Sequence, residues 1–154
     1  MERPGPPPPP GGGGPRGCGG RRPPNAPTMG RGGRGSECVL VSPRSDDLPV
    51  EAGAEWLTCV PSTDTALMIG IVHTLVKEGL HDRAFLDRYT EGWPIFERYL
   101  MGETDGQPKD AAWASGITGI AADEIVALAR RLAGKRAVIV VSHSLQRAEH
   151  GEQP

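Results

Sequence analysis

"EWLTCVPSTDTALMIG", residues 55–70, is the stretch whose reading decides the fold. Trp56, Thr58 and Val60 favour a strand, and Pro61 cannot donate to a sheet ladder. Three small polar residues then precede an apolar run at helical spacing. A strand followed at once by a helix is the unit from which layered α/β domains are built. Downstream, Ala66, Ile69, Ile71, Val72, Leu75 and Val76 recur near a 3.6-residue period. Lys77 falls in the last turn and Gly79 at the C-cap, so a helix is expected with both ends marked.

The same reading extends in both directions. Upstream, "CVLVSP" (residues 38–43) is a continuous apolar run closed by Ser-Pro, which reads as a strand buried on both faces. "SDDLPVEAGAE" (45–55) joins the two strands without clear periodicity, long enough to cross over but too irregular for a helix. "LHDRAFLDRY" (80–89) and "GWPIFERYLMG" (92–102) predict two short helices, and "ETDGQPKD" (103–110) predicts a surface loop. "AAWASGITG" (111–119) reads as a brief helix ending at Gly116 or Gly119. "AADEIVALARRLAGK" (121–135) has the clearest helical pattern: acids in the first turn, a stripe of Ile125, Leu128, Ala129 and Leu132, and Gly134 as the stop. "RAVIVVSHS" (136–144) then predicts a third strand. Apolar strands with helical material between them give an α/β class, a partial parallel sheet flanked by helices, and a sheet of about three strands implies a marginal or incomplete domain.

Composition divides the chain. Residues 1–36 hold 12 Gly and 10 Pro with no collagen-like period, so this stretch is expected to be a disordered Gly/Pro/Arg-rich tail, leaving 37–154 as the partial α/β domain. The tail carries six Arg against one Glu, whereas residues 37–154 carry 11 basic and 18 acidic side chains. Its arginines lack interleaved aromatics and the acidic body repels phosphate, so no nucleic-acid partner is expected. Cys18, Cys38 and Cys59 form no C-x-x-C pair, which suits a reducing compartment. No apolar run approaches the roughly 20 residues of a membrane span, and Arg21 and Arg22 are not followed by the apolar region of an export signal. A soluble cytoplasmic protein with no membrane partner is therefore expected, or a periplasmic one if the true N-terminus is missing.

Ligands of open parallel sheets sit beyond the carboxyl ends of the strands. Three such ends are polar immediately after an apolar run: residues 41–46, 60–64 and 141–147. At the second, Ser62 or Thr63 can act as an N-cap with Asp64 at the positive end of the helix dipole, and that alone would account for them. The Asp64 carboxylate can equally pair with a guanine edge or a ribose hydroxyl. In the third loop, Gln146 can hydrogen-bond an amide-like ring and Arg147 can pair an anion, although a solvated polar loop explains the same residues. His143 and His150 lack the spacing of a metal motif, "GGGGPRGCGG" lacks the strand and helix that make a phosphate loop, and no catalytic nucleophile or metal site can be assembled. His73 and the three tryptophans read as packing residues.

"TDTALM", "LHDRAFL", "GETDGQPK" and "QRAEHGEQP" are specific, and the sequence around them, from about Val39 to Pro154, resembles the molybdopterin-guanine-dinucleotide oxidoreductases of the dimethyl sulfoxide reductase family. The resemblance implies part of a dinucleotide-binding-like α/β domain. It also implies, in the complete enzyme, a molybdenum bis(molybdopterin guanine dinucleotide) cofactor and a small sulfoxide or N-oxide substrate. By position it assigns Ser62, Thr63 and Asp64 to a turn on one guanosine. Ser42, Pro43 and Ser45 fall in the preceding strand-end turn beside the nucleotide, and Ser144, Gln146 and Arg147 in a loop toward the pterin and substrate funnel. His143 departs from the pattern, standing where close relatives carry Trp, which makes that wall smaller and more polar. The resemblance also implies that the molybdenum ligand comes from a region upstream of this segment. No catalytic residue is expected here, and the segment is expected to be inactive alone. A non-catalytic guanine-nucleotide-binding or interaction module is the alternative.

Overall fold

The computed structural model describes residues 36–142 together with Leu145 and Arg147. The expected tail therefore lies outside the described residues except for Ser36, as do His143, Ser144 and Gln146.

Strand β1 (Val39–Val41) and strand β2 (Glu55–Leu57) pair in parallel, with Val39 opposite Glu55 and Val41 opposite Leu57. The irregular linker between them holds two 3-10 turns, Ser45–Asp47 and Val50–Ala52. Five helices follow: α1 (Asp64–Lys77), α2 (Arg83–Tyr89), α3 (Trp93–Leu100), α4 (Ala111–Thr118) and α5 (Ala122–Ala133). Sequence chemistry sets their ends. The Asp82 carboxylate accepts from the Phe85 N–H at 2.9 Å, and the Asp110 carboxylate accepts from the Trp113 N–H at 2.8 Å, each filling an orphan donor of a first turn. Gly119 ends α4, the later of its two anticipated stops.

α1, α4 and α5 pack on one another, and Leu57, Cys59, Leu67, Ala111, Ala114, Ile120, Ile125 and Leu128 form one buried cluster that joins them to the sheet. The expected stripe of α5 is the buried one, with Ile125, Leu128 and Ala129 inside. Of the stripe expected of α1, only Ala66 is buried. Ala66, Leu67, Gly70, His73 and Thr74 are its buried residues, whereas Ile69, Ile71, Val72, Leu75 and Val76 are only partly covered. The reason is the closeness of α4: a Cβ at Gly70 would lie 2.6 Å from the Cβ of Ala114, so only small residues fit along that seam. Hydrophobic periodicity finds the larger side chains, and here the deepest contact belongs to the smaller ones.

A second correction concerns residues 136–142, which form no strand among the described residues. Val138, Ile139, Val140 and Val141 are 88, 72, 63 and 52% exposed. The end of α5 is tied to the starts of both strands, since Arg131 pairs with Glu55 at 2.6 Å and Lys135 pairs with Glu37. Beyond that anchor nothing in the described chain covers the run. A Val/Ile run records a preference for pleated, packed surroundings, and the strand needs a neighbouring edge to exist.

Residues 103–108 of the "ETDGQPKD" loop are exposed, whereas Lys109 is 3% exposed. Its Nζ donates to the Asp105 carboxylate at 2.5 Å and to the Gln107 carbonyl at 2.6 Å, and it lies 4.7 Å from the Tyr99 ring centroid. A buried ammonium with two acceptors and an aromatic face is satisfied, so Lys109 acts as an internal clamp on its own loop.

Candidate functional site

Parallel pairing sends β1 and β2 out of the same end of the sheet, so the turns carrying Ser42 and Asp64 leave from one side. At the first turn, Ser42 is buried and committed to its own backbone surroundings. Its N–H donates to the Leu57 carbonyl at 3.2 Å, its hydroxyl donates to the Asp47 carboxylate, and the Arg44 N–H donates back to that hydroxyl at 3.1 Å. Pro43 and Ser45 are exposed beside it. Arg44 forms a two-pronged pair with Asp46 at 2.6 and 2.9 Å, and that hydrogen bond holds the Asp46 carboxyl below its usual range. Trp56 also belongs here. Its indole N–H donates to the Ser42 carbonyl at 2.8 Å while the residue stays 46% exposed. The sequence reading treated Trp56 as packing only; a strand position carries no sign of which loop its side chain will bridge.

The second turn departs from a plain N-cap. Thr63 occupies the cap position of α1 but makes no side-chain capping bond; its hydroxyl donates to the Val60 carbonyl at 2.6 Å. Ser62, exposed, is held in the left-handed region at φ 65, a conformation that costs a non-glycine residue about 1 kcal/mol. The capping bond anticipated from Ser62 or Thr63 is therefore absent among the described residues, because the tight turn after Pro61 directs the Thr63 hydroxyl backward instead. The N–H groups of Asp64 and Thr65 then take no acceptor among the described residues, and the Asp64 carboxylate takes no hydrogen-bond donor. A carboxylate acceptor beside two helix-start donors matches the complementary edge of a guanine base or a sugar diol better than it matches a phosphate, which Asp64 would repel.

The third loop is represented only by Leu145 and Arg147, the latter exposed. Ser144 and Gln146 lie outside the described residues, so the structure places the first two turns at the same end of the sheet and says nothing of the third. Among the described residues no group of three or more His, Cys, Asp or Glu is placed to hold a metal ion.

One buried ionisable side chain precedes α1 and another lies within it. Burial, and secondarily the Asp64 carboxylate, raise the Cys59 thiol above its ordinary range, which leaves it unreactive. His73 is 3% exposed, and burial pushes its pKa below the ordinary 6.5, opposed by Asp110 and reinforced by Lys77. The unfolded chain thus takes up a proton below about pH 6.5 that the folded chain refuses, and stability is lost as pH falls through that point. Urea unfolding of His73→Gln at pH 7.5 and 5.5 is expected to show a smaller loss on acidification than the wild type. An unchanged loss would assign the acid sensitivity elsewhere.

With two parallel strands whose ends leave the sheet on one side and five helices, the described chain is of the α/β class. By sequence it is similar to reductases of the dimethyl sulfoxide reductase family of molybdoenzymes. It is 53% identical over 121 residues to a biotin sulfoxide reductase of Cereibacter sphaeroides, a match covering 79% of this chain and 16% of that protein. It is 44% identical over 119 residues to a trimethylamine-N-oxide reductase of Haemophilus influenzae, covering 77% of this chain and 14% of the relative. With a dimethyl sulfoxide/trimethylamine N-oxide reductase of Rhodobacter capsulatus the identity is 43% over 120 residues, 78% of this chain and 15% of the relative. The chain thus matches only about a sixth of the length of these curated relatives. No family model matches the chain.

Proposed function

We propose that this chain supplies part of the guanosine-binding wall of a molybdenum-dependent S-oxide or N-oxide reductase and does no chemistry alone. The observation that carries the reading is the pairing of 53% identity to a biotin sulfoxide reductase with an Asp64 carboxylate, at the start of α1, that takes no hydrogen-bond donor among the described residues. The molybdopterin cofactor belongs to the family, and the bis(molybdopterin guanine dinucleotide) form is the finer part of this proposal. When bound in a complete enzyme, the cofactor supplies oxygen-atom transfer and the accompanying two electrons.

The chain's own residues bind and orient. Asp64 accepts from the guanine N1–H and N2–H₂ edge or from a ribose diol, and the helix-start N–H groups of Asp64 and Thr65 donate beside it. Thr63 fixes the turn through Val60, while Ser42, tied to Asp47 and to the Trp56 indole, fixes the other strand-end turn, on which Pro43 and Ser45 are exposed. Ser144, Gln146 and Arg147 complete the proposal on the pterin side. The substrate is a small sulfoxide or N-oxide, in keeping with the named activities of the relatives.

Calorimetry with guanosine diphosphate tests the binding half. Weak binding by the wild type is expected, with at least about tenfold loss in Asp64→Ala, the effect of removing a charged hydrogen-bond partner. Equal affinities, or no binding by either protein, would remove Asp64 from the site. The purified chain is also expected to hold no stoichiometric molybdenum and to show no viologen-linked sulfoxide reduction; stoichiometric metal would overturn its description as a part-site.

A further inference from the structure

We infer that Thr118, the last residue of α4, is a positioning residue for the turn that carries Asp64; the inference rests on the reading of that turn as a guanosine contact. The final carbonyl groups of a helix have no partner inside it. The Thr118 carbonyl is taken up from outside, because the Val60 N–H donates to it at 2.9 Å. Val60 is thereby held from both sides, since its own carbonyl accepts the Thr63 hydroxyl at 2.6 Å. The Thr63 carbonyl in turn accepts from the Ala66 and Leu67 N–H groups at 3.0 and 3.3 Å, at the start of α1. A continuous path of hydrogen bonds thus runs from the end of α4, through Val60 and Thr63, to the first turn in which Asp64 stands.

The side chain of Thr118 fixes where its carbonyl points. Thr118 is 1% exposed, and its hydroxyl donates to the Ala114 carbonyl at 2.9 Å while accepting from the Ile120 N–H at 3.2 Å. These bonds bracket Gly119, whose left-handed φ of 77 turns the chain out of α4. The hydroxyl therefore pins the corner on which the Thr118 carbonyl meets Val60. That corner lies close to the turn, for a Cβ at Gly119 would stand 3.7 Å from the Val60 side chain. Glycine at the cap is enough to end a helix, so a buried hydroxyl spanning the cap does more than stop α4. Without it, the buried Ile120 N–H loses its acceptor among the described residues, and the corner shifts to find another. Val60 moves with the carbonyl it is bonded to.

Calorimetry with guanosine diphosphate on the full chain reads the effect at the site. Thr118→Val removes the hydroxyl and keeps the branched shape, and it is expected to weaken binding at least about fivefold. Thr118→Ser keeps the hydroxyl and is expected to bind within about twofold of the wild type. A residue that served only the core would lower the unfolding midpoint of both variants and leave the affinity of the folded protein unchanged. Amide hydrogen exchange supplies a readout without nucleotide: the Val60 N–H is expected to be protected in the wild type, and at least about tenfold less so in Thr118→Val. An unprotected Val60 N–H in the wild type would overturn the proposal without any variant. So would a Thr118→Val protein that binds or protects as the wild type does, or a Thr118→Ser protein that binds as weakly as Thr118→Val. A wild type that binds no guanosine diphosphate overturns the reading of the Asp64 turn itself, and this role of Thr118 with it.

Discussion

Gly102→Ala is expected to destabilise the folded chain by about 3 kcal/mol or more and to lower its melting temperature by more than about 10 °C. Gly102 adopts φ 82, and a Cβ built there would lie 2.4 Å from the Pro108 nitrogen and 2.6 Å from the Gln107 carbonyl carbon. Both obstacles are backbone, so no rotamer change relieves them. The left-handed conformation alone costs a residue with a Cβ about 1 kcal/mol, and forced overlap in a packed site adds roughly 1–3 kcal/mol. The loop must then open at its narrowest point. That would strain the 2.9 Å bond from the Lys109 N–H to the Leu100 carbonyl and the Asp105 and Gln107 contacts that satisfy the buried Lys109 ammonium. Gly106, in the same loop, has φ 75 but nothing within 4 Å of its added Cβ, so Gly106→Ala incurs only the conformational cost. Thermal unfolding of the two variants separates the effects. Equal losses would mean that the close approach to Pro108 is unimportant.

That loop also shows where sequence reading stops. "ETDGQPKD" is legible as a turn because Gly, Pro and Asp have local reasons to be there. The burial of Lys109 is not legible, since it depends on Tyr99 and Trp113 arriving from separate helices. The same division runs through the fold. Both strands, five helices and the stops at Gly119 and Gly134 follow from periodicity and caps, whose causes lie within a few residues of their effects. The buried face of α1 and the absence of a strand at 136–142 among the described residues depend on neighbours distant in sequence, and both differ from expectation. At the candidate site, the strand–turn–helix placement of Asp64 was legible. The backward bond of the Thr63 hydroxyl, the left-handed Ser62 and the Trp56 bridge to Ser42 arise from turn geometry and cross-strand position, which residue types alone do not specify.

Gly70→Leu is expected to cost more than about 3 kcal/mol, for a reason that reaches from the helix seam to the candidate site. The first added carbon would already stand 2.6 Å from the Ala114 Cβ, 3.6 Å from the Asp110 carbonyl oxygen and 3.7 Å from Ile125, so α1 and α4 must separate to admit it. Separation opens the cluster around Ala114 and Ile125, both fully buried, and pulls on the 2.9 Å bond by which the Val60 N–H reaches the Thr118 carbonyl. Val60 also accepts from Thr63, so the turn bearing Asp64 is displaced with the helix it begins. Guanosine nucleotide affinity should therefore fall in any Gly70 variant that remains folded. A milder exchange isolates the cause. Gly70→Ala gains about 1 kcal/mol in helix propensity yet meets Ala114, whereas Ala114→Gly leaves a gap and loses a similar propensity. Combining them moves one methyl group from α4 to α1 and keeps the volume of the seam, so the double variant should be more stable than the sum of the single changes by about 1–3 kcal/mol. Strict additivity in chemical unfolding would show that the two helices do not meet at this point.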